Sequence, residues 1–242
     1  MGAITKKEIR ACFRSPIAYV CIGVLLAVAG YYYAQVLMIG SSSNIPAVYS
    51  ILFNINMILI PILTMRSLSE ERKNKTDQAL LTAPVSTWAI AVGKFVAPFL
   101  IYAIGMAITL VPAVVITFIG SPNWALIFGD LLGALFYGAA MVAIGIFISS
   151  CTENQIVAAV GTLGISLVLM FMDQIGSILN NDTVTKVLGW ISFNTRYQKF
   201  TSGTFDIPSV VFFVSVAVIF LFLTSRRLEA RRGKGGGGYN GG

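Results

Sequence analysis

Histidine is absent from the 242 residues. That removes the commonest general base and the commonest metal ligand near neutral pH. Charge is scarce too. Asp, Glu, Lys and Arg make up 11% of the chain, against about a quarter in a soluble domain. So few charges cannot cover a globular surface. Cysteine is confined to Cys12, Cys21 and Cys151, an odd number without C-x-x-C spacing. These read as free thiols, with no disulfide framework or zinc site. A phosphate-binding G-x-x-x-x-G-K-[S/T] is also missing. Gly93-Lys94 lacks the upstream glycine and the following Ser or Thr, and Gly235–Gly238 has no strand before it. The chain therefore carries no nucleotide site of its own, and no cofactor or metal is expected on it.

What remains is apolar: 56% hydrophobic residues and a mean hydropathy of +0.81. Six stretches are long enough to cross a bilayer, about 17 residues at the least. They cover 17–39, 45–65, 88–119, 124–149, 156–172 and 209–225. A secretory signal peptide is the alternative for the first, with Ala27-Val28-Ala29 as a cleavage site. The apolar run, however, continues through Tyr31, Tyr32 and Tyr33. Pro98 and Pro112 interrupt the third stretch. Gly129 and Gly133 form G-x-x-x-G in the fourth, which permits close helix approach. The net charge of +7 does not point to nucleic acid, because the basic residues flank apolar runs. Fourteen of the 17 Lys and Arg fall on one side of the six stretches and three on the other. The positive-inside rule then places both termini in the cytosol and residues 173–208 outside.

Residues 1–15 read as an N-terminal interfacial helix. Thr5-Lys6-Lys7-Glu8 fits a capping box, Ile4, Ile9 and Phe13 offer apolar surface, and Lys7, Arg10 and Arg14 offer charge. Residues 16–228 form the six-span domain, and the Gly-rich residues 229–242 read as a disordered cytosolic tail. Within the domain, residues 173–208 suggest short amphipathic helices. A charged loop at 66–86 stands out between apolar runs, with a helix predicted over Leu68–Leu81 and a stop at Pro84. It reads either as a solvated connection or as a helix that touches another protein. Inside the spans, Asn54, Asn56 and Asp130 are the polar candidates for a substrate path. Asn54 and Asn56 differ by about 200° on a helix, so they face different surroundings. Structural helix–helix bonding is the alternative for the asparagines, and an interfacial carboxylate reaching headgroups or water is the alternative for Asp130. Lys94 is expected to snorkel toward the inner surface.

Glu70-Glu71 followed by Lys75-Thr76-Asp77-Gln78-Ala79-Leu80-Leu81-Thr82-Ala83-Pro84-Val85-Ser86 resembles the first cytosolic loop of type-2 ABC transporter (ABC-2) permeases. It looks most like the branch of gliding-motility-associated permeases. Lys7-Glu8-Ile9-Arg10 with Phe13–Tyr19, and Arg196-Tyr197 through Leu228-Glu229, are similar to the same branch. The branch often has Gly before the loop threonine, where this chain has Lys75. The resemblance implies an all-α integral membrane protein of six transmembrane helices, with an N-terminal interfacial helix and a cytosolic coupling helix. It implies a permease subunit, an exporter in the bacterial plasma membrane, working with separate ABC ATPase subunits that hold ATP and Mg. It implies a second permease subunit, in a homodimer or heterodimer. Glu70, Glu71, Thr76 and Asp77 are the coupling residues it suggests, and Lys7, Glu8, Arg10 and Arg14 mark the interfacial helix. Glu70 and Glu71 are expected to meet basic residues on the ATPase, or this chain's Arg10 and Arg14. Two other classes compete. One is a membrane enzyme with an outer polar site of Asp173, Asp182, Lys186, Arg196 and Lys199; the other is a secondary transporter without an ATPase.

Overall fold

The computed structural model describes residues 2–39, 45–76, 85–118, 122–178, 182–202 and 206–236. Every regular element among them is an α-helix. In chain order these are α1 (Gly2–Arg14), α2 (Pro16–Ile39), α3 (Ile45–Thr64), α4 (Ser69–Lys73), α5 (Thr87–Ile108) and α6 (Leu110–Ile116). They continue with α7 (Trp124–Cys151), α8 (Gln155–Ile178), α9 (Asp182–Ile191), α10 (Phe193–Thr201) and α11 (Ile207–Gly236). Six stretches have the length and composition of membrane spans: α2, α3, α5 with α6, α7, α8 and α11.

The bundle is built around α7. It packs against α11, α3, α5, α10 and α8, and 67% of its span is buried, against 17% for α8. In a bilayer, apolar side chains gain little by leaving lipid, so close packing decides which helix sits at the centre. The glycines of α7 supply that closeness. A Cβ on Gly133 would lie 2.7 Å from the Phe200 ring, one on Gly138 would overlap Tyr102, and one on Gly145 would overlap Thr64. The G-x-x-x-G pair thus receives α10, a short helix folded back onto α7, and does not join two spans. Aromatic rings fix that fold-back: Tyr197 stacks on Phe53 at 4.5 Å, and its hydroxyl donates to the Tyr49 carbonyl at 3.2 Å.

Three local expectations change. The capping box is not formed, because α1 begins at Gly2 and Glu8 is buried inside it. The third span passes through Pro98 unbroken but breaks at Thr109. Pro112 cannot donate to the carbonyl of Ile108 and its ring crowds that position, so the helix restarts as α6. Residues 229–236 continue α11 and are not a disordered tail. Arg226, Glu229, Ala230 and Arg231 are good helix formers, and Arg232 donates to the Val85 carbonyl at 3.0 Å.

Candidate functional site

The connections of α1, α3–α5, α7–α8 and α11 gather at one end of the bundle. There the charged loop is built on a cap borrowed from α7. After α3, the backbone N–H groups of Leu68 and Ser69 have no partner within α4, as at any helix start. Ser149 Oγ accepts both, at 3.1 and 3.0 Å, and donates to the Met65 carbonyl at 3.0 Å. Glu70 and Glu71 in the first turn and Arg72 and Lys73 in the last complement the helix dipole. The helix predicted over Leu68–Leu81 ends early, at Lys73. Lys75 N donates to the Arg72 carbonyl at 3.2 Å and Thr76 N to the Glu71 carbonyl at 2.9 Å. This is a Schellman ending, whose turning residue needs the left-handed region. Lys75 has φ of +56°. It occupies the place where the resembling permeases often have glycine. Asp77 and the rest of the predicted helix lie outside the described residues.

Lys75→Gly is therefore expected to leave assembly intact and to stabilise the turn by about 1 kcal/mol, whereas Lys75→Val costs more than that. Proteolysis rates at residues 73–76 of the purified protein measure the difference. Equal rates for the two variants would show that the turn carries no strain.

Glu8, Glu71 and Lys94 meet behind this loop. The Lys94 side chain is 2% exposed; its ammonium lies 3.0 Å from Glu8 Oε2 and 2.6 Å from Glu71 Oε1. One cation on α5 thus holds α1 and α4 together. Glu70 pairs with Arg66 at 3.0 Å, and Arg72 with Glu153 at 2.8 Å. The two glutamates do not reach Arg10 or Arg14, and Lys94 does not snorkel. The physical reason is that α1 lies across α5 and closes the route to water, so the ammonium takes its counter-charges from inside. Among the described residues of the loop, Lys73, Asn74, Lys75 and Thr76 form an exposed tip beyond α4, and Ser86 is exposed beside α5. Of the four coupling candidates, Thr76 is on that tip, and Glu70 and Glu71 are half-buried behind it. At the far end of the loop, Thr87 Oγ1 lies 3.0 Å from Ser225 Oγ and donates to Glu229 Oε1 at 3.1 Å. The loop is thus clamped to α7 where it starts and to α11 where it ends.

A cavity of about 370 Å³ opens between α1 and the loop, lined by Glu8, Cys12, Arg14, Arg66, Glu71 and Lys94 among others. Burial, and next Glu8, raises the Cys12 thiol above its ordinary pKa. Thiolate is the reactive form, so maleimide should modify Cys12 at least several-fold more slowly than exposed Cys151 at neutral pH. Time-resolved mass measurement of the labelled chain checks this, and equal rates would contradict the half-buried placement.

The membrane candidates separate. Asn56 is buried and its amide donates to Tyr102 Oη at 3.2 Å; Tyr102 in turn donates to the Ala134 carbonyl at 2.8 Å. It is a bond between α3, α5 and α7. Asn54 is exposed and bonds the Ser50 carbonyl at 3.0 Å. Asp130 does not reach the protein surface: it is 0% exposed, and its carboxylate finds no hydrogen-bond partner among the described residues. It lies close enough to Tyr33, Tyr49 and Tyr197 to act on them electrostatically. The fold-back of α10 onto Gly129 and Gly133 walls it in. The outer enzyme-like cluster is not assembled from its described members. Arg196 stacks over Phe212 and donates to the Trp190 carbonyl, Lys199 pairs with Asp206, and the Lys186 side chain is exposed.

Lys94 and Ser149 carry the site without having been singled out for it. Lys94 was visible as the sole cation within an apolar stretch, near its inner end. Ser149 had no signal, since nothing marks a serine near a span end as a cap for a distant helix.

The chain matches the family described as ABC-2 family transporter protein over residues 2–231. No curated protein matches it.

Proposed function

The chain belongs to the ABC-2 family of transporter proteins and is a multi-pass membrane permease, and from that premise we propose that it exports its substrate with energy from separate ATPase subunits. The observation that supports this best is the clamped loop. Its tip is exposed, while its start is hydrogen-bonded to α7 and its helix is ion-paired to Lys94 of α5, which also holds Glu8 of α1. A push on the tip is passed to the spans, because the loop has little freedom to absorb it. The tip faces the ATPase in the cytosol, with both termini on the same side, as the distribution of Lys and Arg requires. ATP and Mg belong to that partner. The loop sequence from Lys75 to Ser86 favours the gliding-motility-associated branch.

Two permease chains, identical or closely related, enclose the substrate path. Asn54, midway along α3, supports this: an exposed amide at that depth is costly against lipid. A second subunit or a hydrated path removes that cost. Cysteine in place of Asn74 is expected to cross-link to an ATPase subunit in native membranes, and the purified complex to contain two permeases. Absence of any cross-link from residues 73–76, with the ATPase present, would overturn the docking. Saturable ATP binding by this chain alone would overturn the division of labour.

A further inference from the structure

Helix α1 has two electrically different sides. At about 100° per residue, Lys6, Lys7, Arg10 and Arg14 fall within an arc of about 100°, and Glu8 and Cys12 lie opposite it. Glu8 is buried against Lys94, whereas all four cations are exposed. Among the described residues, none of the four has an acidic partner within ion-pair distance. Four like charges on one arc repel one another, so the face needs counter-charge from beyond the described residues. Its position says where from. α1 ends at Arg14 and the first span begins at Pro16, with only Ser15 between them. The polar headgroup layer extends about 5–7 Å beyond the hydrocarbon, so the end of α1 cannot leave it.

We propose that the basic face of α1 binds anionic lipid headgroups, and that the Glu8–Lys94–Glu71 ion pairs carry that contact to the loop. The binding half stands on the geometry of α1; the transmission half rests on the permease reading above. Each cation near an anionic surface contributes about 1 kcal/mol, a factor of about five in lipid affinity. The transmission follows from shared occupancy. Glu8 and Glu71 hold the same ammonium, at 3.0 and 2.6 Å. A shift of α1 toward bound headgroups moves Glu8, and the ammonium is then redistributed between the two carboxylates. Glu71 lies on α4, within the loop whose tip is exposed.

The test uses the full complex in vesicles of phosphatidylcholine alone or mixed with phosphatidylglycerol. Phospholipid retained through purification reads the binding. Wild type is expected to retain phosphatidylglycerol preferentially. Lys6→Gln, Lys7→Gln, Arg10→Gln and Arg14→Gln together should lower that retention at least tenfold. The charge-keeping set Lys6→Arg, Lys7→Arg, Arg10→Lys and Arg14→Lys should preserve it. Equal retention by the glutamine set overturns the binding, and so does loss of an ATPase subunit with retention unchanged, which would make the face a protein contact. ATP hydrolysis reads the transmission: wild type should be several-fold faster with phosphatidylglycerol present. Glu8→Gln should keep the retained lipid and lose the difference in rate. A persisting difference in Glu8→Gln overturns the transmission. If no ATPase accompanies the chain, the permease reading fails, and retention alone still decides the binding.

Discussion

Lys94→Met is expected to lower the yield of assembled protein several-fold and to destabilise what remains by about 3 kcal/mol. Methionine matches the lysine stem in length and apolar character, so packing along α5 is largely kept. What disappears is the counter-charge for two carboxylates. Glu8 and Glu71 side chains are 11% and 20% exposed, and neither has another cation within ion-pair distance among the described residues. Breaking a buried pair from one side costs about 3–5 kcal/mol, because the abandoned charge stays buried. The lower end applies here, since Glu71 keeps some access to water. Adding Glu8→Gln and Glu71→Gln to Lys94→Met removes the abandoned charges, and the triple variant should regain most of the loss. Unfolding midpoints in detergent, beside yield, measure wild type, Lys94→Met and the triple variant. A Lys94→Met protein as stable as wild type would sink the triad as a structural element. The same geometry separates the two loop glutamates. Glu70→Lys breaks a half-exposed pair with Arg66 worth about 0–1 kcal/mol. Glu71→Lys instead sets a second cation against Lys94 and should resemble Lys94→Met in its cost. Reversing both together therefore tests folding as well as coupling.

The spans were legible because lipid, as a solvent, demands long apolar runs with all backbone groups bonded internally. Ile17–Ile39 in the sequence and Pro16–Ile39 in the structure differ by one residue. The loop was half legible. Its charges and its resemblance marked it, but its helix stops at Lys73 because the backbone turns at Lys75, a position whose φ no composition shows. The Lys94 triad was not legible at all. Its three members are far apart in the chain, and only the lie of α1 across α5 brings them together. Asp130 failed for a related reason. Its depth from the start of α7 suggested an interface, but exposure there depends on where α10 folds back, and the glycines that receive it say only that something packs closely.

Gly138→Ala is expected to destabilise the bundle by roughly 3 kcal/mol, a large effect for one methyl group. Most Gly→Ala changes inside a helix are favourable by about 1 kcal/mol, through backbone entropy. Gly164 on α8 is such a case, since nothing lies within 4 Å of its would-be Cβ. On Gly138 the methyl would overlap the edge of the Tyr102 ring. Tyr102 cannot step aside freely. Its hydroxyl donates to the Ala134 carbonyl at 2.8 Å and accepts from Asn56 at 3.2 Å. Displacing it adds overpacking strain of about 1–3 kcal/mol and leaves the buried Asn56 amide without that acceptor, at a similar cost. Three spans, α3, α5 and α7, loosen at one point. Tyr102→Phe keeps the ring and loses only the hydroxyl, so it should cost about 1–2 kcal/mol. Tyr102→Leu in the Gly138→Ala background frees the space, and the pair should cost clearly less than the sum of the singles. Thermal unfolding in detergent ranks these variants against Gly164→Ala. If Gly138→Ala proved as stable as Gly164→Ala, the close approach of α5 to α7 would not be what holds the centre of this bundle.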